Sequence, residues 1–286
     1  MKNLEIDKAQ VALRFAQAGQ SYSEHAVVQK QIARQLFNLI QCYATKTQFE
    51  RVFEIGCGSG NLSHLLLKDF QIQHYLLNDL YAEVQQHFQG YSNIDWLLGD
   101  IEQLNFPSDL ELIVSTSALQ WMTDLAAVFQ KANDSLLPQG LFCFSTFGER
   151  NLQEIKTLTG QGLDYVNLDQ LREKLQNQGF EVLHLSEQIE YLDFATPKQV
   201  LQHLKATGVT ATASSFRWTK HSLECFYQDY QQFSQLDTSG QIHYRPTTSL
   251  YSNKPESAAA LRYTSHSVDG AEFGNPSAKD GLNCLN

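Results

Sequence analysis

The chain lacks the cysteine spacing that a disulfide framework or a zinc site needs. Its five cysteines, Cys42, Cys57, Cys143, Cys225 and Cys284, include no C-x-x-C pair, and five cannot all pair with one another. Free thiols in a reducing compartment are expected, with no bound metal. Long apolar runs are also missing, and none approaches the length that spans a bilayer. Residues 1–10 are mixed polar with no apolar h-region, so no secretory signal is read and the cytoplasm is the expected location. A basic balance is absent too: 21 Lys and Arg stand against 31 Asp and Glu, for a net charge of −10. That argues against nonspecific nucleic-acid binding, so neither nucleic acid nor membrane is an expected partner. No internal repeat is found.

What is present suits one large domain, or a core with a smaller attachment. The 286 residues are 42% hydrophobic, enough for a real core. Residues 11–42 carry apolar side chains at near-helical spacing, including Ala26, Ile32, Ala33, Leu36, Leu39 and Ile40. Residues 51–55 form a short β-branched and aromatic run that stops at glycines, as a buried parallel strand does. A helix restarts at 62–67. Strands follow at 74–78, 94–98, 110–115 and 141–146, with helices at 83–88 and 125–137 and a turn at 138–140. This alternation predicts an α/β fold, a doubly wound and mostly parallel sheet with helices on both faces.

After Phe147 the texture changes. Helices are expected at 151–159 and 169–178, the latter ended by Gly179. Two strand-like runs, 180–185 and 187–194, suggest an antiparallel pair at a sheet edge. A helical insertion follows, with helices at 197–207 and 221–232 around a loop at 208–215, suited to a lid. The expected organisation is therefore an N-terminal helical cap over 1–45, an α/β core over 46–195, the insertion over 196–235, and the end of the core over 236–253. Arg245 and Pro246 interrupt the run 242–251, which demotes it to an edge or a non-strand. Residues 254–286, rich in Ser, Ala, Gly and Asn, are expected to be loosely ordered.

The main motif is Glu54-Ile55-Gly56-Cys57-Gly58-Ser59-Gly60, directly after a strand and before a helix. Glycines there let the backbone turn sharply and let a ligand approach closely. The dinucleotide fingerprint G-x-G-x-x-G does not fit, because the third glycine comes one residue early. A phosphate P-loop does not fit either, since no Lys-Ser/Thr follows Gly60. Asp79, at the end of the second strand, lies where a carboxylate reaches ribose hydroxyls.

The spacing E-x-G-x-G-x-G resembles motif I of the class I methyltransferases, which implies S-adenosyl-L-methionine as cofactor. By that resemblance Glu54 lies near the amino-acid end of the donor, and Gly56, Gly58 and Gly60 pass against it. Asp79 and Leu80 meet the ribose, and Asp100 reaches the adenine amino group while Ile101 packs on the ring. Residues 115–121, Ser115-Thr116-Ser117-Ala118-Leu119-Gln120-Trp121, resemble motif IV, which puts Ser115, Gln120 and Trp121 beside donor or substrate.

A narrower resemblance covers residues 11–230. Phe15, Ala18, Tyr22, His25, Ala26 and Gln29 precede the first strand. Ala118-Leu119-Gln120-Trp121 follows the fourth, Phe147-Gly148, Asn151-Leu152 and Glu154 follow the fifth, and His203-Leu204-Lys205-Ala206-Thr207-Gly208 lies in the insertion. Together they resemble the malonyl-[acyl-carrier protein] O-methyltransferases of biotin synthesis. Departures are Glu111 and Ser115-Thr116, where that family often has Asp and Ser-Asn. The resemblance implies a malonyl thioester on acyl-carrier protein as substrate and partner, methylated at its free carboxylate. Tyr22 is the candidate for closing the site, with His25, Trp121 and Arg150 as candidates at the substrate end. The carrier protein is acidic in this family, so docking needs a positive patch, for which Lys198, Lys205, Arg217 and Lys220 are the best cluster. Two alternatives stay open: a methyltransferase for another small molecule, and a non-catalytic donor-binding protein.

Overall fold

The computed structural model describes Lys8 and residues 27–206, 218–239, 241–251 and 259–263. In chain order the elements are α1 (Val27–Tyr43), β1 (Gln48–Ile55), α2 (Ser63–Asp69), β2 (Gln71–Asp79), β3 (Ile94–Leu98), β4 (Leu110–Thr116), α3 (Leu125–Ser135) and β5 (Leu136–Phe147). They continue with α4 (Gln153–Thr159), α5 (Leu168–Asn177), β6 (Phe180–His184), β7 (Gln188–Tyr191), α6 (Pro197–Ala206) and α7 (Lys220–Asp229). The last four are β8 (Ser234–Leu236), β9 (Ile242–Tyr244), β10 (Thr247–Tyr251) and β11 (Ala259–Tyr263). Short 3-10 turns cover Ala82–Phe88, Leu119–Trp121 and Tyr230–Phe233.

Five strands pair in parallel in the order β3-β2-β1-β4-β5. Their sequences read as near-continuous apolar runs because both faces are covered. On one face, Leu36 and Ile40 of α1 and Leu66 of α2 pack on Val52, Tyr75, Leu112 and Val114. On the other, Val128 and Phe129 of α3 and Leu171 and Leu175 of α5 pack on Phe53, Ile113, Phe142 and Phe144. The doubly wound sheet read from the sequence is the one observed. Its strand order reverses between β1 and β4, and ligands of such sheets lie beyond the strands' carboxyl ends at that point.

The far side of β5 differs from expectation. β6 and β7 do not pair with each other. β6 pairs with β11 and β7 with β10, all antiparallel. β10 and β11 both run antiparallel to β5, from Leu250 opposite Phe147 to Arg262 opposite Leu141. β6 and β7, each antiparallel to its partner, therefore point the same way and follow each other as one strand interrupted at Leu185, Ser186 and Glu187. The stretch around Pro246 is therefore not demoted: Thr247–Tyr251 sits between β5 and β7. Pro246 immediately precedes the strand, where its missing N–H disturbs no ladder bond, and the Thr247 N–H is taken by Glu154 Oε2 at 3.0 Å. The polar tail also supplies a strand, β11, because the edge of β5 at Leu141–Phe144 otherwise leaves backbone groups unpaired. Nor is 138–140 a turn outside the sheet, since β5 already begins at Leu136 and passes through Gln139 at φ 68°.

The insertion forms a satellite core. Val200 and Leu204 of α6 and Phe226 of α7 close around Tyr230 and Tyr244, resting on Leu152, Ile155 and Leu158 from the α4 region. The loop expected at 208–215 lies outside the described residues.

Candidate donor-binding site

The glycine motif leaves β1 at the carboxyl edge of the sheet, beside the order reversal. Gly56 has φ +70°, and a Cβ there would come within 2.4 Å of the Ala118 Cβ. The turn therefore runs tightly against the loop after β4. Gly58 has φ +53°, and a Cβ there would meet nothing within 4 Å. Its bare Cα faces open space, which is where a ligand can come close. Gly60 closes the turn, its N–H donating to the Cys57 carbonyl at 3.0 Å.

Two acids sit inside this turn. Glu54 is 1% exposed, and its Oε2 accepts from the Tyr75 hydroxyl. Asp79 is 7% exposed; its Oδ2 accepts from the Gly58 N–H at 2.8 Å and its Oδ1 from the Leu80 N–H at 2.7 Å. Asn78 donates to the carbonyls of Leu97 and Gly99, and the Gly99 N–H donates to the Asp79 carbonyl. The carboxyl ends of β1, β2 and β3 are thus laced into one frame. Burial pushes the Glu54 carboxyl up to about 7, against the pull of the Tyr75 hydroxyl and with a further push from Asp79. Burial also raises Asp79, opposed by the N–H groups of Gly58, Leu80 and Tyr81. None of the ion pairs among the described residues involves Glu54 or Asp79. Between the two acids lies Cys57, its Sγ 4.0 Å from Asp79 Oδ2. Burial, then Asp79 and Glu54, push its thiol well above the usual range.

The turn after β3 is built differently. Asp100 accepts from Lys8 Nζ at 2.7 Å on each oxygen, and Lys8 also binds Glu102. Glu102 in turn accepts from the N–H groups of Thr123 at 3.0 Å and Asp124 at 2.6 Å, just ahead of α3. Burial acts to raise Glu102, but Lys8 and these N–H groups outweigh it and hold the carboxyl below its ordinary value. Ile101 is 3% exposed and belongs to the core on the α3 side of the sheet.

At the end of β4, Ser115 donates its hydroxyl to the Ile55 carbonyl at 2.9 Å, so it ties two strands together. Ser117 is held at φ 54°, a strained value for a side-chain-bearing residue. Gln120 Nε2 donates to the Ser117 carbonyl at 2.5 Å. The buried Thr116 Oγ1, Ser117 Oγ and Gln120 Oε1 have no protein partner among the described residues. Trp121 closes the same 3-10 turn and is partly buried.

Of the residues expected at the substrate end, Arg150 lies past β5 and pairs with Glu187, which also accepts from Ser249 at 2.6 Å. Lys205, with Lys198 and Lys220, is exposed on the helices of the insertion. Tyr22, His25 and Arg217 lie outside the described residues. Sequence reading missed Tyr75, Lys8, Glu102, Lys131 and the contact of Ala118 with Gly56. A tyrosine within an apolar strand was the one available signal; the others act across long sequence separations.

Comparison with known proteins gives this geometry its context. Residues 28–185 match a family described as a methyltransferase domain. A malonyl-[acyl-carrier protein] O-methyltransferase of Acinetobacter baylyi is 45% identical over 245 residues, covering 85% of this chain and 96% of that one. The chain belongs to the malonyl-[acyl-carrier protein] O-methyltransferase family. A namesake from Bacteroides fragilis is 41% identical over 84% of this chain, which spans 49% of that longer protein. Among solved structures, the YcgJ protein of Bacillus subtilis matches with a TM-score of 0.55 at 13% identity, covering 80% of this chain and 98% of that one. The [4+2]-cyclase SpnF matches with a TM-score of 0.50 at 16% identity, covering 80% and 79%. At such identities these two establish the fold alone.

As a member of this family the chain uses S-adenosyl-L-methionine as methyl donor. The residues present fit it. The donor carries a sulfonium and an ammonium, and the glycine turn offers buried carboxyl groups that no cation pairs with among the described residues. The space beside Gly58 admits a ligand that a Cβ would obstruct. Among the described residues no group of three or more His, Cys, Asp or Glu side chains could hold a metal, and no helix is long and apolar enough to cross a membrane.

Proposed function

We propose that the chain methylates the free carboxylate of a malonyl thioester carried on acyl-carrier protein, giving the methyl ester that primes pimelate formation in biotin synthesis. In this reading Glu54 and Asp79 take the two polar ends of the methionine and ribose portions of the donor, and Asp100 takes its adenine. What supports the donor assignment is the pair of buried acids, without an ion pair among the described residues, against the bare Gly58 backbone. What supports the acceptor is the 45% identity, over 85% of the chain, to a relative of that name.

The chemistry asks little of acid–base groups. A malonyl carboxylate has a pKa well below 7 and is ionised without a general base. The sulfonium supplies an already activated methyl group. The protein's work is to align the carboxylate oxygen on that methyl and to exclude water. Tyr22 and Trp121 are the candidates for covering the reacting atoms, with His25 orienting one of them. Arg150 has a guanidinium suited to a carboxylate; its Nε and Nη2 are engaged by Glu187, which the acceptor would have to displace or share. Lys198, Lys205, Arg217 and Lys220 are the candidate docking patch for the acidic carrier.

The direct test is transfer of a labelled methyl group to malonyl-carrier protein, with free malonate as control. Transfer to the carrier-bound substrate alone is expected. Transfer to a free small acid instead would favour a different acceptor, and binding without turnover would favour a non-catalytic role. Charge reversal at Lys205 and Lys220 is expected to raise KM for the carrier-bound substrate about tenfold while leaving donor affinity unchanged, as lost electrostatic steering predicts. Unaltered kinetics would remove the patch.

A further inference from the structure

The turn at 101–104 gathers carbonyl oxygens that no backbone N–H among the described residues meets. The N–H groups of Gln103 and Leu104 both fold back onto the Asp100 carbonyl, at 2.8 and 3.1 Å. The carbonyls of Ile101, Glu102 and Leu104 are left aimed at one point, like the last turn of a helix. Oxygen dipoles converging in that way repel one another unless a donor or a cation meets them. Lys131, from the middle of α3, meets them. Its Nζ lies 2.8 Å from the Glu102 carbonyl, 2.9 Å from that of Leu104 and 3.4 Å from that of Ile101. An ammonium has three donors, and here each is directed at main chain. The same turn returns the contact, since Glu102 accepts the N–H groups ahead of α3. Helix and turn therefore clasp each other at two points.

We propose that Lys131 is a positioning residue for donor recognition: by gathering the three carbonyls it fixes the turn that presents Asp100 to the adenine amino group. The inference rests on the reading of Asp100 as the adenine partner. Lys131 touches neither donor nor acceptor. It sets the direction of the Asp100 carboxylate through the backbone, so its loss blurs discrimination at the base and leaves methyl transfer itself alone.

The test is calorimetric titration with S-adenosylhomocysteine and with its inosine analogue, whose ring bears an oxygen in place of the adenine amino group. The wild-type chain is expected to prefer the adenine form about tenfold or more, the worth of one hydrogen bond to a charged acceptor. Asp100→Ala is expected to lose that preference. Lys131→Met is expected to lose most of it, with a raised KM for the donor and an unchanged kcat at saturation. Lys131→Arg, which keeps charge and donors, is expected to recover it. Should Met prevent folding, Lys131→Gln keeps two of the three donors without the charge and is expected to give an intermediate preference. A full wild-type preference in Lys131→Met or Lys131→Gln, with Asp100→Ala indifferent to the base, overturns the role of Lys131 alone. A full preference in Asp100→Ala overturns the adenine reading and this inference with it.

Discussion

Two pairs of acids stand at the carboxyl edge of the sheet, and they are kept in opposite ways. Glu54 and Asp79 are buried, and among the described residues neither takes part in an ion pair. Asp100 and Glu102 are less buried and share Lys8, while Lys131 sits behind their turn. A buried carboxylate without a cation is costly to ionise, so its ionised form waits for a positive partner from outside. A carboxylate that already has a lysine needs none. The difference teaches where a cation from outside would meet uncompensated charge: at the glycine turn, and not at the turn after β3, where Lys8 already stands.

The strongest way to break this comparison is to fill the space that the buried acids face. Gly58→Val places a branched side chain at φ +53° where no protein atom lies within 4 Å of a Cβ. Donor binding is expected to fall below detection by calorimetry while far-UV circular dichroism stays native; normal affinity would mean the ligand lies elsewhere. Next comes Glu54→Gln, which keeps the shape but removes the charge. Donor affinity is expected to fall about 100-fold, as when a charge-assisted contact is lost. The empty protein should gain about 1–3 kcal/mol of stability at pH 8, because the wild-type carboxyl is raised to about 7.

The sign of the pH dependence follows from the same shifts. A raised carboxyl binds its proton more tightly folded than unfolded, so its burial destabilises above pH 7 and that penalty fades as pH falls toward 4.5. Glu102 runs the other way. Its carboxyl is depressed, so its contribution is present above its unfolded value and is lost on further acidification. Donor affinity should fall as pH drops below about 7, and binding near pH 6 should release a proton. Calorimetry in buffers of different ionisation enthalpy reads that proton directly, and zero release would place the titrating group outside the site.

Smaller effects sharpen the contrast. Asp79→Asn keeps an acceptor for the Gly58 N–H and loses the charge, and it is expected to weaken donor binding by about 1–3 kcal/mol. An unchanged affinity would remove Asp79 from the ribose. The smallest change should come from Lys8→Met. Its side chain is 19% exposed and its partners keep other hydrogen bonds, so stability should shift by less than about 1 kcal/mol. A larger loss in thermal melting would show that the turn after β3 leans on Lys8 more than on Lys131.

The parts of the fold that were legible in the sequence are those written in local chemistry. Glycines after β1, acids after β2 and β3, and apolar runs in between locate the sheet and the turns at its carboxyl edge with few errors, because each signal acts within a few residues of itself. The far edge was not legible. The runs at β6 and β7 were readable as strands, but their partners were not: β10 and β11 lie about 60–80 residues on, short and polar, and a proline marks the start of one. The site was half legible for the same reason. Glu54 and Asp79 are announced by position, but Lys131 reads as an ordinary helix-surface lysine and Tyr75 as one more apolar strand residue. Their meaning lies in partners 27 and 21 positions away.

Cys57 shows a further effect of the buried acids. On the proposed donor position a sulfhydryl stands in the turn that receives an electrophilic carbon, and only its deprotonated form attacks such a carbon readily. Seclusion and two neighbouring carboxylates keep that proton in place. On that reading the same charges that would invite a cationic cosubstrate also guard the protein against alkylating itself.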